Sequence, residues 1–187
     1  MARPAEAASR TLDVSIVIEA PPALVLSAFF DPPALGAWWQ IIRSVTIPRA
    51  LGPYTLEWRP TDFRDDILGR LGGVFRGTVM QFDPGQGFFV ADGFWLPPDG
   101  DPIGPMALEV ACTASGEGHG ATTHLRVTQT GCDDSVRWQR YYEVIRHGWE
   151  RALTSLKTLL ENVMEERRVN ETSAAPPDTP GARTSSG

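Results

Sequence analysis

The sequence predicts an α+β fold, in which a curved antiparallel sheet of about six to seven strands wraps one long C-terminal helix and two short helices follow the first strand. Three observations predict it. From Trp138 to Met164 the large apolar residues Trp138, Tyr142, Ile145, Trp149, Leu153, Leu156, Leu160 and Val163 recur at steps of three and four, the repeat of one helix face. Upstream, stretches of apolar–polar alternation are separated by short Gly- and Pro-containing turns, the signature of strands joined as hairpins. Helical patterns occur only before and after that run, which favours a meander over parallel crossovers.

Taken in order, Leu12, Val14, Ile16 and Ile18 alternate as one face of a first strand that Ala20-Pro21-Pro22 ends. Pro22 suits a helix start, with Leu24, Val25, Ala28 and Phe29 as an apolar stripe. Asp31 then serves as N-cap and Pro32 as first residue of a second short helix ending near Trp38-Trp39. Strands are expected over 41–48 and 52–59, with Tyr54, Leu56 and Trp58 on one face and Thr55, Glu57 and Arg59 on the other. The segment Pro60–Gly73 mixes turn formers with Phe63, Ile67, Leu68 and Leu71 and fits either a lid with glycine hinges or a long connection packed on the sheet edge. Further strands follow over 74–82 and 88–96, around the turn Asp83–Gly87, and then over 106–115 and 119–131. Glu109 and His124 are expected outside, while Met106, Leu108, Val110, Leu125 and Val127 point inward.

At 187 residues the chain suits one domain, here 11–166, between disordered segments at 1–10 and 167–187. Its net charge of −6 argues against nucleic acid or an anionic membrane surface as partner. Among the 17 basic residues only Lys157 is lysine, a skew that base composition explains as readily as chemistry does. No apolar run is long enough for a membrane span, and the first ten residues hold no signal-peptide core. A hairpin turning near Glu117 sets Cys112 across from about Thr123 and Cys132 far down the ladder. A disulfide needs Cα atoms within about 7 Å, so reduced thiols and a cytoplasmic location are the expectation.

The order strand, proline-marked helix, Asp31-Pro32 with Leu35, and the pair Trp38-Trp39 carries a family resemblance. So do Gly77-Thr78-Val79 running to Asp83-Pro84, and Gly148-Trp149 followed by Leu153 and Leu156. Over about 12–164 the chain resembles the START-like (SRPBCC, helix-grip) superfamily. Within it, the chain is most similar to homologues of the activator of heat-shock protein 90 ATPase. The resemblance implies a cavity between curved sheet and long helix. Relatives bind lipids, sterols, hormones or polyketides, cyclise or dehydrate aromatic polyketides, or assist the chaperone, so function has to be argued from the site.

The cavity walls expected from the pattern are Trp39, Tyr54, Leu56, Trp58, Phe94, Met106, Leu108, Val110, Leu125, Val127, Tyr142, Ile145 and Trp149. With Trp38, Trp95 and Tyr141, the aromatic residues among them suit a flat or greasy ligand, although any one of them alone fits ordinary core packing better. An enzyme of the cyclase kind requires an acid or base inside, and only Glu57, Arg59 or Asp92 turned inward supplies one. His119, His124 and His147 lack the spacing of a metal pair, and no nucleophile elbow, P-loop or dinucleotide motif occurs. The expectation is a small hydrophobic or aromatic ligand, no metal, no cofactor and no catalytic residue. A homodimer or a chaperone partner stays open, as do the chaperone-activator and cyclase readings.

Overall fold

In the computed structural model, residues 11–116, 121–131 and 133–174 are described. The readings made for 1–10, Glu117, His119, Cys132 and 175–187 therefore fall outside the described residues. Strand β1 (Leu12–Ile18) buries Leu12, Val14 and Ile18 on one face. Helix α1 (Pro22–Ser27) carries Pro22 in its first turn, where its missing N–H costs no hydrogen bond. Helix α2 (Pro32–Trp39) starts at Asp31, whose carboxylate accepts the Ala34 N–H at 2.9 Å, and stops at Gln40 in the left-handed region with φ 59°.

Strands β2 (Ile41–Thr46) and β3 (Gly52–Trp58) follow as a hairpin. The segment after β3 contains a small two-stranded ribbon, β4 (Arg64–Asp65) and β5 (Gly69–Arg70), which the turn-rich sequence did not reveal. Next come β6 (Gly73–Asp83), β7 (Gly87–Leu96), β8 (Ile103–Ser115) and β9 (Thr122–Thr130). The sheet has seven strands in the order β1-β9-β8-β7-β6-β3-β2, so the first strand joins the last at one edge. All its pairings are antiparallel. In the β8–β9 ladder Cys112 faces Leu125, two residues from the Thr123 that a turn near Glu117 implied. An even slip keeps side-chain parity, so Leu125 and Val127 remain buried and His124 exposed.

Helix α3 (Val136–Ala174) crosses this curved sheet. It buries Trp149, Ala152, Leu153, Leu156, Leu160 and Met164, with Met164 in the place expected for Val163. The helix runs ten residues past Met164, so 167–174, assigned above to a disordered tail, is helical. At one end the hollow of the sheet is closed by rings. Phe29 meets Trp38 at 5.1 Å and Phe88 at 5.6 Å, and Phe30 meets Tyr54, Phe82 and Phe88 at 5.5, 5.3 and 4.8 Å. These edge-to-face contacts add to the burial of large side chains and anchor the α1–α2 corner in the sheet. The other end is open space.

Candidate functional site

That space is a cavity of about 710 Å³ between sheet and α3, within the size range of small-molecule pockets. One wall is α2 and the end of β3, through Trp38, Trp39 and Trp58. The sheet supplies Phe75, Trp95 and Leu108, and the segment after β3 supplies Leu68 and Leu71. Helix α3 roofs it with Tyr141, Val144, Ile145, Gly148, Trp149 and Ala152. Five of the six tryptophans of the chain thus border one hollow. Trp39 is their hub, stacked on Trp38 at 4.8 Å and touching Trp149 and Trp58 at 4.4 and 5.2 Å.

Of the wall residues expected from sequence, Trp39, Trp58, Leu108, Ile145 and Trp149 border the cavity. Tyr54, Leu56, Met106, Val110, Leu125 and Val127 are buried but lie in solid packing outside its lining. Tyr142 is likewise packed, stacked on Trp138 at 6.0 Å, and its neighbour Tyr141 borders the cavity instead. One residue along a helix is a turn of about 100°, enough to exchange the two rings.

Phe94 is on the wrong face. Strict alternation from Phe88 and Val90 sends Phe94 inward, but the pairing steps from Val90–Leu108 to Gly93–Met106, three residues against two. Asp92, at φ 53°, is the extra residue of this β-bulge and is exposed. Beyond it Gly93 and Trp95 face inward, and Phe94 lies outside under the Arg76 guanidinium at 5.6 Å. The Asp-Gly pair inside an apolar run was the available signal. Lining residues missing from the expected set include Trp38, Phe75, Trp95, Tyr141 and Gln129.

The interior polar groups are mostly satisfied. The indole N–H of Trp38 donates to Ala28 O at 3.0 Å, that of Trp58 to Trp39 O at 3.1 Å, and that of Trp95 to Gly72 O at 2.7 Å. Trp149 differs, since its buried Nε1 has no hydrogen-bond partner among the described residues. The buried Gln129 amide donates to the Tyr141 hydroxyl at 2.9 Å and to the Met106 sulfur. Burial pushes the Tyr141 phenol well above its ordinary value, so this hydroxyl stays neutral.

Glu57 stands on the outer face opposite Arg43, at 3.6 Å. With Asp92 in the exposed bulge, neither predicted carboxylate lies among the cavity walls. Arg59 is neither inside nor on the outer sheet face. It follows the last residue of β3, is exposed, and borders the mouth, as does Arg151 on α3. His147 is exposed with Nδ1 2.9 Å from Glu143 O. Among the described residues there is no group of three metal-ligating side chains, and no helix is long and apolar enough to cross a membrane.

The segment after β3 is strapped down. Asp65, almost wholly buried, accepts the N–H groups of Ile67 and Leu68 at 2.9 and 3.0 Å through one oxygen. Its other oxygen receives Arg140 of α3 at 2.7 Å. The Arg140 guanidinium, offset by burial and helped by the two N–H groups, holds this carboxyl below the usual range. Asp99 binds Arg64 and Arg70 at 3.1 and 2.9 Å. With Leu68 buried beneath, the segment is a packed wall rather than a free lid.

The sequence profile of the family described as polyketide cyclase/dehydrase and lipid transport matches residues 9–165. No curated protein matches the chain. Among solved structures, protein MLL2253 from Mesorhizobium loti is 22% identical with a TM-score of 0.61, covering 82% of this chain and 98% of its own. The AHSA1 protein from Silicibacter pomeroyi is 16% identical with a TM-score of 0.57, covering 81% and 97%. The Aha1 dimer from Colwellia psychrerythraea is 18% identical with a TM-score of 0.51, covering 81% and 96%. At these identities the likeness is one of fold, and it is the helix-grip fold that the sequence suggested.

Proposed function

The chain belongs to the polyketide cyclase/dehydrase and lipid transport family of the START-like superfamily, and on that premise we propose that it binds a small hydrophobic or aromatic molecule between sheet and α3. The observation that carries the reading is the cavity of about 710 Å³ bordered by five tryptophans, in a fold whose opposite end is packed solid with rings. Flat apolar surface buried there gains roughly 25 cal/mol per Å², and indole faces add stacking preference. Titration of tryptophan emission with a panel of neutral aromatic and acyl compounds tests it. Saturable quenching by at least one class is expected, and unchanged emission with every class, together with flat calorimetry, refutes it.

A cyclase-type reaction has little to work with. Among the described residues no carboxylate or histidine borders the cavity, and its buried polar side-chain groups are the Gln129 amide, the neutral Tyr141 phenol and indole N–H groups. Binding or carriage of the ligand is therefore the better reading. A surface role toward a chaperone rests on fold likeness alone, and ATPase assays with an added chaperone separate it from the cavity reading.

A further inference from the structure

Among the described residues the charged ones bordering the cavity are Arg59 and Arg151, and its lining holds no acid. Several other arginines of this chain, whose net charge is −6, are engaged by acids. Arg43, Arg64, Arg70, Arg126 and Arg140 all sit in ion pairs. Among the described residues neither Arg59 nor Arg151 has an ion pair or a side-chain hydrogen bond. One follows the end of β3 and the other comes from α3, so the fold brings two unpaired guanidinium groups from distant parts of the chain to the border of one largely apolar cavity.

We propose that the ligand is a carboxylate-bearing amphiphile, its apolar body among the tryptophans and its head at the Arg59–Arg151 mouth. This inference rests on the binding reading above and narrows it. A guanidinium presents a planar fork of donors that matches a carboxylate. Both arginines are exposed, so the head keeps part of its hydration and avoids the large cost of burying an ion. The opposite orientation fails on that cost, because Gln129 and Tyr141 offer only neutral hydrogen bonds in the buried wall. An aromatic box otherwise favours cations through the ring faces; two positive charges at the entrance oppose an ammonium.

The test compares pyrenebutyrate with its uncharged amide, pyrenebutyramide, by energy transfer from tryptophan to pyrene. The acid is expected to bind at least about tenfold tighter at low salt, with the gap narrowing as ionic strength rises. In the double variant R59Q/R151Q the acid should fall to the affinity of the amide, and the amide should be unchanged. Equal affinities in the native protein, a gap insensitive to salt, or a gap that survives both substitutions overturns carboxylate selection while leaving cavity binding in place. If neither pyrene compound nor the neutral panel binds, the cavity reading itself fails and this inference with it.

Discussion

Trp149 allows the packing argument to be put to a numerical test, because its indole is buried against Trp39 while its N–H has no partner among the described residues. Replacing it with Phe removes about 1–1.5 kcal/mol of apolar burial, at about 0.8 kcal/mol per CH₂ equivalent. The same change deletes an unsatisfied buried donor, which costs the folded state about 1–3 kcal/mol. The net for W149F therefore lies between a loss of about 0.5 and a gain of about 2 kcal/mol. W38F is the control. Its ring is as buried, but its N–H reaches Ala28 O at 3.0 Å, so the burial loss adds to a broken hydrogen bond. That sum is a destabilisation of about 1.5–3 kcal/mol. Urea unfolding followed by far-ultraviolet circular dichroism reads both without relying on the emission that the substitutions alter. If W149F loses as much stability as W38F, the unsatisfied donor is not a real cost and the reasoning about this wall is wrong.

Other consequences follow from the strap and the turns. D65N keeps an acceptor for the Ile67 and Leu68 N–H groups but removes the charge facing Arg140, and should cost about 1–2 kcal/mol at neutral pH. Because the folded carboxyl is depressed, its contribution is complete above the unfolded value near pH 4 and is lost as pH falls through the folded one. The native-minus-D65N difference should therefore close in acid, and a pH-independent difference in denaturant unfolding would refute the charge argument. Gly73 has φ 84° and a Cβ there would stand 2.2 Å from Leu96 O, so G73A should cost more than about 2 kcal/mol. G85A, with φ 72° and open space around it, should cost only about 1 kcal/mol, and equal thermal shifts would disprove the steric reading. Burial pushes the Cys112 thiol up to about 12, so in a C132S background iodoacetamide should label it only after unfolding. Rapid labelling of the native protein would contradict that.

How far the sequence reveals this molecule depends on the range of the interaction concerned. Apolar spacing in β1, β3, β9 and α3 is local and strong, and the faces it assigned to Leu12, Leu56, Leu125 and Leu153 are the buried ones. Asp31 and Pro32 carried the α2 start because a cap involves only a few residues. The wall of the cavity was less legible. A single bulge residue moved Phe94 out and Trp95 in, and one step of helix rotation replaced Tyr142 with Tyr141. Leu56, Val110 and Val127 face the interior as expected but fall where it is filled, a matter of three-dimensional volume that periodicity does not encode. The Asp65–Arg140 pair spans 75 residues, and the meeting of Arg59 with Arg151 at one mouth spans still more. Nothing in either local pattern marks these partners.

The extra residue at Asp92 has a consequence for how such a chain diversifies. Excising it would turn the outer half of β7 by one pleat, withdrawing an indole and presenting a benzene ring in its stead, and would change what Tyr141 of the roof helix packs against. A lineage carrying this kink therefore holds a one-codon gauge for the bore of its chamber.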